Sequence, residues 1–392
     1  MLVNFGFKNY FSFKEGADIT FSLDKKASES LPNHEGISYV LGIKGANGSG
    51  KTNIIRAMGF ISNFIQNSYD YKNTDEIEID SFLMNNVDSE FYLDFFHKKY
   101  LYSYYISLNE NRVSEEILTR KLKRETTVFH RIGNNIKACL KEIDEIKKIK
   151  FKKNSSVLSA LNNFEFEASM KPLRDAFEFF TKIVSNVDYV GLQEAPINYG
   201  YHEMCAAYKK YGNEALEFVT NMIRLADSSV ESIEIDERID EDTGKVRYLP
   251  IFKHKRDDKI ESIMIYDESS GTKYLFRTMG LYWAVISHGG TMCIDEFDLH
   301  LHSMILPHII DLFENENINA NKAQFIFTAH NTEIMDYLGK YRTILVNKKN
   351  LESYCYRLDE MPSDLISNSS LRGERKISSL YLKGKLGGVP EL

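Results

Sequence analysis

The sequence predicts an α/β protein with a mixed sheet, in which a helical insertion separates an antiparallel N-terminal lobe from a parallel core. Three observations predict this class. A glycine-rich loop at residues 45–52 lies between an apolar strand and an amphipathic helix. Residues 272–347 alternate between helix and strand, which is typical of a parallel sheet with crossover helices. Residues 116–225 are charged, poor in glycine and largely helical in pattern.

The first lobe, residues 1–115, is predicted to consist mainly of strands. The opening stretch LVNFGFKNYFSF alternates between apolar and polar residues. The stretch EFYLDFFHKKYLYSYYISLNENRV predicts antiparallel strands joined by polar turns at residues 97–99 and 109–111.

The helical insertion is predicted over residues 116–225, and the second lobe over residues 226–392. The clearest predicted helices in the insertion are IKACLKEIDEIKKIKF and LRDAFEFFTKIVSNV. The second lobe begins with a predicted hairpin that turns at Asp242-Thr243-Gly244. After it we expect helices at 272–287, 304–313 and 332–338, and strands at 291–295, 323–328 and 343–347.

Composition excludes several classes of protein. Hydrophobic residues make up 43% of the 392 residues, which is enough for a packed core. Four widely spaced cysteines without a CxxC pair argue against a zinc site or a disulfide framework. The N-terminus lacks the pattern of a signal peptide, and no apolar stretch is long enough for a membrane span. We therefore expect a cytoplasmic protein without membrane contact.

Charge is unevenly distributed along the chain. The formal net charge is −7, yet residues 120–153 contain twelve lysines or arginines against four acids. This segment could follow a nucleic-acid backbone, bind an acidic protein, or form an ordinary solvated face. The mixture of lysine and glutamate in KEIDEIKKIKFKK favours the solvated face, so the segment does not decide the substrate.

The stretch GANGSGKT matches the phosphate-loop pattern G-x-x-x-x-G-K-[ST] in full. Glycines let backbone N–H groups turn toward the phosphates, the lysine bridges the β and γ oxygens, and the threonine hydroxyl is a Mg²⁺ ligand. The residues predicted to bind the nucleotide are Gly45, Asn47, Gly48, Ser49, Gly50, Lys51, Thr52 and Asn53. ATP and Mg²⁺ are the expected cofactors.

Two later strands end in candidate catalytic residues. The stretch GGTMCIDEFDLHLH ends a strand in Asp295, which can hold Mg²⁺ with Thr52, and Glu296, which can polarise the attacking water. Surface acids at a strand end are the alternative, and the phosphate loop favours the catalytic role. His330 ends the strand in AQFIFTAHN, where it could donate to a γ-phosphate or orient water. A structural role is the alternative, and it is the more common one for a lone histidine. The i, i+2 spacing of His300 and His302 favours a packing or loop role over a metal site.

A second anion-binding helix start lies in DESSGTKYLF. Ser269, Ser270 and Gly271 offer hydroxyl and N–H groups directly before a predicted amphipathic helix. Two other phosphate-loop classes fit the chain poorly. The stretch ILVNKKN lacks the aspartate of the GTPase motif N-K-x-D. The phosphate loop and Asp295 are about 244 residues apart, which is too far for a classical AAA+ ring.

The chain resembles the compact bacterial "AAA family" ATPases of the ABC class, which are relatives of the SMC, RecF and OLD proteins. Many of these are encoded in anti-phage defence and abortive-infection systems. The stretches that carry the resemblance are NFGFKNYFSF, GANGSGKTN, ESSGTKYLF, IDEFDLHLH, FTAHN and YLKGKLGGVPEL. They frame both lobes but not the insertion.

The resemblance implies an ABC-type ATPase head that forms an ATP-sandwich homodimer. In that family the serine-glycine stretch is the signature, which completes the nucleotide site of the opposite subunit. It follows that Ser269, Ser270 and Gly271 would approach the γ-phosphate in trans. Glu296 would be the catalytic base, and His330 would be the switch histidine.

The chain departs from the transporter signature LSGGQ at both of its end positions. Glu268 replaces the leucine and Thr272 replaces the glutamine, which favours the SMC-like side of the class. Gln193 and the segment near Phe82 are the two candidates for the Q-loop. About sixty residues follow His330, so we expect no Toprim nuclease domain of the kind found in overcoming-lysogenization proteins.

Three functions are compatible with these features. The first is an ATP-dependent sensor or scaffold that controls a separately encoded effector in bacterial phage defence. The second is a DNA-binding or DNA-repair ATPase that grips DNA through residues 120–153. The third is a nucleotide-gated interaction module with negligible turnover.

Overall fold

A computed structural model describes residues 1–193, 200–239, 244–257, 259–361 and 376–389. The strands in these ranges are β1 (Leu2–Lys8), β2 (Ala17–Thr20), β3 (Asn33–His34), β4 (Ile37–Ser38), β5 (Val40–Gly45), β6 (Ser89–His97), β7 (Tyr100–Asn109), β8 (Arg112–Lys121), β9 (Glu125–Ile132), β10 (Asn135–Cys139), β11 (Ile183–Ser185), β12 (Val230–Ile239), β13 (Val246–Arg256), β14 (Lys259–Met264), β15 (Thr291–Ile294), β16 (Gln324–Thr328), β17 (Thr343–Lys349) and β18 (Glu352–Arg357). The helices are α1 (Lys25–Ser28), α2 (Lys51–Asn67), α3 (Lys171–Thr181), α4 (Tyr201–Tyr211), α5 (Asn213–Ala226), α6 (Ser270–His288), α7 (Leu306–Glu314), α8 (Ile334–Leu338) and α9 (Ile377–Leu382).

A seven-stranded antiparallel sheet forms the N-terminal part of the fold. Its strand order is β10-β9-β8-β7-β6-β1-β2. Alternate residues of β6 are buried, as expected for a strand with one face on a core. Aromatic rings fill much of that core, including stacked Phe95 and Phe179 at a centroid distance of 3.9 Å. The antiparallel lobe predicted from the sequence is confirmed.

The sheet continues well past residue 115, so a wholly helical segment over 116–225 is wrong. Strands β8, β9 and β10 extend to Cys139, and residues 141–148 form 3₁₀ turns instead of the predicted α-helix. Ile136, Leu140 and Ile143 have helical spacing, but Ile143 has non-helical backbone angles. The neglected signal was Gly133-Asn134, a turn dipeptide in which Gly133 has a φ of 54° and joins β9 to β10.

Helices do form the later part of this segment. Helix α3 confirms part of the predicted helix over 173–187, but it ends at Thr181, and Ile183–Ser185 pairs with β15 as an edge strand. Helices α4 and α5 follow. The division of the chain into three units stays a prediction.

The second large sheet brings together segments that are far apart in the sequence. Its order is β11-β15-β16-β5-β17-β18, and all neighbours are parallel except β17 and β18. Strand β16 lies between β15 and β5, so these three strands end side by side. The carboxyl ends of parallel strands are where α/β proteins form ligand sites. The predicted parallel core is therefore confirmed, and it places three candidate motifs at one edge.

A smaller antiparallel sheet contains β12, β13 and β14 and precedes α6. The predicted hairpin is confirmed by the pairing of Val230–Ile239 with Val246–Arg256. Two residues of its predicted turn, Asp242 and Thr243, lie outside the described residues. All four cysteines are described, and all are free. Within the described ranges, no helix is both long and apolar enough to span a membrane.

A buried ion pair holds the seven-stranded sheet against the segment that follows it. Glu116 on β8 and Arg131 on β9 have fully buried side chains, with 3.3 Å between their closest charged atoms. Glu116 also accepts hydrogen bonds from the Tyr104 hydroxyl and the Val157 N–H group. The Arg131 guanidinium donates to the Ser155 and Lys152 carbonyl oxygens.

Replacement of Arg131 by methionine should lower the free energy of unfolding by about 3–5 kcal/mol, because it leaves the Glu116 charge buried and unpaired. Urea denaturation monitored by circular dichroism would measure the loss. A matched control is Arg120→Met, since Arg120 pairs with the half-exposed Glu142 at 2.7 Å. Equal losses of unfolding free energy in the two variants would show that the buried Glu116–Arg131 pair contributes no more to stability than the more exposed pair.

Candidate functional site

Backbone geometry in the loop between β5 and α2 requires glycine at several positions. Gly48 and Gly50 have φ values of 74° and 110°, in the left-handed region that side chains disfavour. A Cβ atom on Gly45 would lie 2.3 Å from the Val346 carbonyl oxygen. The loop therefore has the tight turn that lets N–H groups point toward an anion at the start of α2.

The Lys51 side chain folds back across this loop. Its ammonium donates to the Gly45 and Ala46 carbonyl oxygens at 2.9 and 3.0 Å. Burial lowers the pKa of Lys51, and the charges of Asp295 and Glu296 act in the opposite direction. The ammonium is thus bound to the loop backbone and is close enough to both predicted acidic residues for their charges to act on its pKa.

Asp295 lies directly against the phosphate loop. Its Oδ2 atom accepts a hydrogen bond from the Thr52 hydroxyl at 2.8 Å, and its Oδ1 atom accepts one from the Thr328 hydroxyl at 2.5 Å. The Asn186 amide fixes the Asp295 backbone through two bonds, to the carbonyl oxygen at 2.9 Å and from the N–H group at 2.7 Å. The two residues predicted to hold a metal are therefore in contact.

Glu296 and His330 meet at the ends of adjacent strands. The nearest Glu296 carboxylate oxygen lies 3.6 Å from His330 Nε2. Glu296 has a φ of 51°, a left-handed conformation that is uncommon outside glycine, and its N–H group donates to the Thr328 hydroxyl at 2.9 Å. The strained turn directs the Glu296 side chain away from the buried strand, and both side chains are partly exposed.

The serine-glycine stretch begins α6 as the sequence predicts. Ser269 is the N-cap residue, and its hydroxyl accepts a hydrogen bond from the Thr272 N–H group at 3.1 Å. Ser269 and Ser270 are exposed, whereas Glu268 and Thr272 on either side are buried. A Cβ atom on Gly271 would make only ordinary contact, 3.6 Å from the His300 carbonyl oxygen. The stretch thus presents an outward-facing helix start.

One protein family matches residues 40–336, a range that includes the phosphate loop, the signature stretch, the acidic strand and His330. Its description is "AAA domain, putative AbiEii toxin, Type IV TA system". The match covers well over half of the chain. The chain belongs to this AAA family.

Solved structures similar to this AAA-family chain include two SMC heads. The SMC head domain from Thermotoga maritima is 15% identical, covers 91% of this chain and 98% of its own, and gives a TM-score of 0.40. An Smc head domain with an extended coiled coil, bound to the C-terminal domain of ScpA derived from Pyrococcus furiosus, is 14% identical, covers 94% and 99%, and gives a TM-score of 0.42. No curated protein matches the chain.

Other candidates from the sequence have local roles in this AAA-family chain. The His300 ring packs on Tyr274 at a centroid distance of 4.9 Å, and His302 Nδ1 accepts from the Met304 N–H group at 3.3 Å. Both contacts agree with the predicted packing and loop roles. The exposed Gln193 amide donates to the Gly191 carbonyl oxygen of its own loop at 3.4 Å, and Phe82 is buried. Neither observation shows which of the two candidates forms the Q-loop.

Sequence reasoning missed two charged residues that hold the His330 segment. The Asp298 carboxylate accepts hydrogen bonds from the backbone N–H groups of His330 and Asn331 at 2.6–3.0 Å. The Lys44 ammonium donates to the carbonyl oxygens of Ala329, at 3.0 Å, and His330. The available signal was the polarity of Lys44 inside the apolar run VLGIKG, since a lysine there needs buried acceptors.

Sequence reasoning also missed a serine pair that packs on the phosphate loop. The Ser353 hydroxyl donates to the Ser49 carbonyl oxygen at 2.6 Å and lies 2.7 Å from the Ser12 hydroxyl. The Asn53 amide donates to Ser12 Oγ at 2.8 Å, so this predicted nucleotide-binding residue also has a structural contact. Ser12, Asn53 and Ser353 come from separate parts of the chain, and no local pattern links them.

Replacement of Lys44 by methionine should lower ATP turnover about tenfold, because it removes the charged donor to the Ala329 and His330 carbonyl oxygens. ATP binding should change little, since Lys51 and the loop remain. Steady-state hydrolysis and binding of a fluorescent ATP analogue would measure both. Lys340→Met, at a partly exposed cation that lies over the Tyr341 ring, is the control. Equal turnover in the two variants would contradict the role of Lys44.

Lys44 also gives stability a predictable pH dependence. Burial lowers its pKa from 10.5 to about 8, partly opposed by Asp298. The buried charge therefore destabilises the fold fully below pH 8, and this cost falls as pH rises from 8 toward 10.5. The stability of the native protein relative to Lys44→Met should increase over that window.

Proposed function

We propose that this chain is an ABC-type ATPase in which two copies enclose ATP and Mg²⁺ between the phosphate loop of one copy and the signature stretch of the other. The contact between Thr52 and Asp295 at 2.8 Å carries the proposal. It joins two oxygen donors that are 243 positions apart and could share one Mg²⁺ ion, and Lys51 is close enough to Asp295 and Glu296 for their charges to act on it.

The donor set fits a magnesium nucleotide. Thr52 contributes a hydroxyl and Asp295 a carboxylate, and such hard oxygen donors are those that Mg²⁺ prefers. When bound, Mg²⁺ would neutralise charge on the β and γ oxygens. Lys51 would exchange its two backbone acceptors for phosphate oxygens. The loop N–H groups and the start of α2 would bind the remaining oxygens.

Glu296 is the proposed general base, because its partly exposed carboxylate lies at the edge of the site. His330, 3.6 Å away, would orient the attacking water or donate to the γ-phosphate. Thr328 supports both acids, since its hydroxyl contacts Asp295 and the Glu296 N–H group. Asp298 and Lys44 would fix the position of His330 at the end of β16.

The site is proposed to be completed by a second copy. Ser269 and Ser270 face outward at the N-terminus of a nineteen-residue helix, where hydroxyl and N–H groups can meet a γ-phosphate. This arrangement explains why one chain has two anion-binding helix starts. One belongs to its own nucleotide, and the other belongs to the nucleotide of its partner.

Analytical ultracentrifugation with ATP and Mg²⁺ tests the proposal. The native protein should pair with ATP and return to monomers after hydrolysis or in ADP. A Lys51→Ala variant should bind ATP at least about tenfold more weakly and fail to pair, because it lacks the charged phosphate ligand. Pairing that is independent of nucleotide, or the same with Lys51→Ala, would refute the proposal.

The biological output proposed for this ATPase is control of a separately encoded effector in bacterial phage defence. The family description, which mentions a putative AbiEii toxin and a type IV toxin–antitoxin system, supports that setting. A plaque assay on bacteria carrying the native gene and its neighbours, against a Glu296→Gln version, tests it. Protection that does not depend on Glu296, or no protection at all, would argue against the proposal.

DNA binding is the second candidate function, and the distribution of exposed cations favours it. Nine of the twelve cations in residues 120–153 are exposed, whereas Arg131 is buried and the Lys152 ammonium donates to the Tyr69 and Tyr71 carbonyl oxygens. Neutralising Lys147, Lys148 and Lys150 tests a DNA grip without disturbing those two residues. DNA affinity measured across salt concentrations should fall and its salt slope should flatten; unchanged affinity would exclude this surface.

A further inference from the structure

Glu268, which stands where the transporter signature has leucine, forms a buried contact with a histidine. A leucine in that position would need an apolar pocket, but the buried Glu268 carboxylate faces a histidine. Its Oε1 atom lies 2.7 Å from His254 Nε2, and the two side chains are only 5% and 12% exposed. His254 lies on β13, in the three-stranded sheet, whereas Glu268 directly precedes the signature serines.

Residues in the turn between α5 and β12 hold His254 from its other side. His254 Nδ1 lies 2.8 Å from the Ser229 hydroxyl, and that hydroxyl lies 2.6 Å from Asp227 Oδ1. Hydrogen bonds from Ser229 lower the pKa of Asp227, so the series of hydrogen-bonded side chains begins with a carboxylate. A continuous line of side chains thus runs from Asp227 through Ser229 and His254 to Glu268.

The line ends where it can fix the position of the signature. Glu268 points inward, and the next residue, Ser269, is the N-cap residue of α6. On the other side, the buried Thr272 holds the Ser269 hydroxyl at 2.9 Å. Ser269 is therefore anchored from both directions while its hydroxyl stays at the exposed helix start. Loss of either anchor would let the serine move relative to the helix.

We propose that His254 is a positioning residue for the signature, and that it makes the three-stranded sheet a control element for ATP-driven pairing. This inference rests on the proposed function, because it assumes that Ser269 and Ser270 engage the nucleotide of a second copy. A ligand or effector that shifts β13 would displace Glu268 and thereby change pairing without touching the phosphate loop.

The direction of the hydrogen bonds around His254 and Glu268 predicts which substitution at position 268 keeps the contact. If the Ser229 proton is donated to Asp227, His254 donates from Nδ1 to Ser229. One further proton then lies between Nε2 and Glu268. A glutamine at position 268 can supply that proton from its amide, so Glu268→Gln should keep the bond, whereas Glu268→Ala should lose it.

Sedimentation with ATP and binding of a fluorescent ATP analogue test the inference together. His254→Ala and Glu268→Ala should each weaken ATP-driven pairing about tenfold, as expected when a buried hydrogen-bonding group loses its partner, and change ATP binding by monomers less than about twofold. Glu268→Gln should pair nearly as well as the native protein.

His202→Ala is the matched control, because His202 Nδ1 accepts a hydrogen bond from the Tyr248 N–H group on the same strand, β13, outside the line of side chains. It should leave pairing unchanged even if it lowers the melting temperature. Native-like pairing by His254→Ala and Glu268→Ala would overturn the inference while the proposed function survives. If the native protein does not pair in ATP, the proposed function itself fails. Should His254→Ala misfold, the comparison of Glu268→Gln with Glu268→Ala decides: equal pairing by these two also overturns the inference.

Discussion

Glu296→Gln is expected to lower ATP turnover by about 10²–10⁴-fold, the range for loss of a general base, while ATP binding persists. Glutamine keeps the size of the side chain but cannot accept the proton of the attacking water. The backbone bond to Thr328 is unaffected, so the strained turn should remain. Single-turnover hydrolysis would measure the chemical step, and sedimentation would show whether the ATP-bound pair accumulates.

Glu316→Gln is the control for this prediction, since Glu316 is an exposed carboxylate in the loop after α7. It should hydrolyse ATP at the native rate. Equally low hydrolysis by the native protein and Glu296→Gln, with ATP-dependent pairing in both, would support a nucleotide-gated interaction module with negligible turnover. It would also remove the hydrolase from the proposed function.

Ser270→Arg should abolish ATP-driven pairing, weakening it by about 100-fold or more, because it places a long charged side chain where two surfaces must meet closely. Ser270 is exposed at the first residue of α6, so the folded monomer can accommodate the change. ATP binding at Lys51 should stay within about twofold of native, since the altered residue serves the opposite site. His288→Arg, at the exposed other end of the same helix, controls for the added charge.

Mixing two defective variants gives a sharper test of sharing between subunits. Ser270→Arg keeps a native phosphate loop, and Lys51→Ala keeps a native signature. A mixed pair would contain one site built from the two native halves, so partial recovery of hydrolysis is expected. If each chain instead used its own signature, both sites in the mixture would be defective and no recovery would occur. Normal pairing by Ser270→Arg alone would also contradict a role for this stretch.

The sequence was informative where a function depends on contiguous residues. The phosphate loop, the acids at 295 and 296 and the histidine at 330 were each predicted from a strand end and a local pattern. Their meeting depends on β16 lying between β15 and β5, and strand order in a parallel sheet has no local signature. The contact of Thr52 with Asp295 is therefore a property of topology that the motifs alone could only suggest.

The errors and omissions also have physical causes. Ile136, Leu140 and Ile143 satisfy helical spacing, yet β10 pairs with β9 because a short turn at Gly133 returns the chain. Lys44 and Asp298 support the His330 segment by binding backbone atoms of residues 329 and 330. Because every residue has such backbone atoms, the identity of residues 329 and 330 does not reveal these contacts. The His254–Glu268 pair joins a strand to a loop, and only the unexpected acid at position 268 pointed to it.

Asn186 limits how this chain could be divided or redesigned. It follows edge strand β11, in the middle part of the sequence, and both hydrogen bonds of its side-chain amide fix the Asp295 backbone 109 residues later. The middle part is thus no detachable accessory. A trimmed or chimeric version that removes residues 183–186 would take Asp295, the proposed metal ligand, out of register. Replacing exposed residues of the 3₁₀ turns at 141–148, such as Lys147 and Lys148, would leave that acid supported. Exchange of parts between relatives should therefore be tolerated at such exposed positions and resisted at residues 183–186.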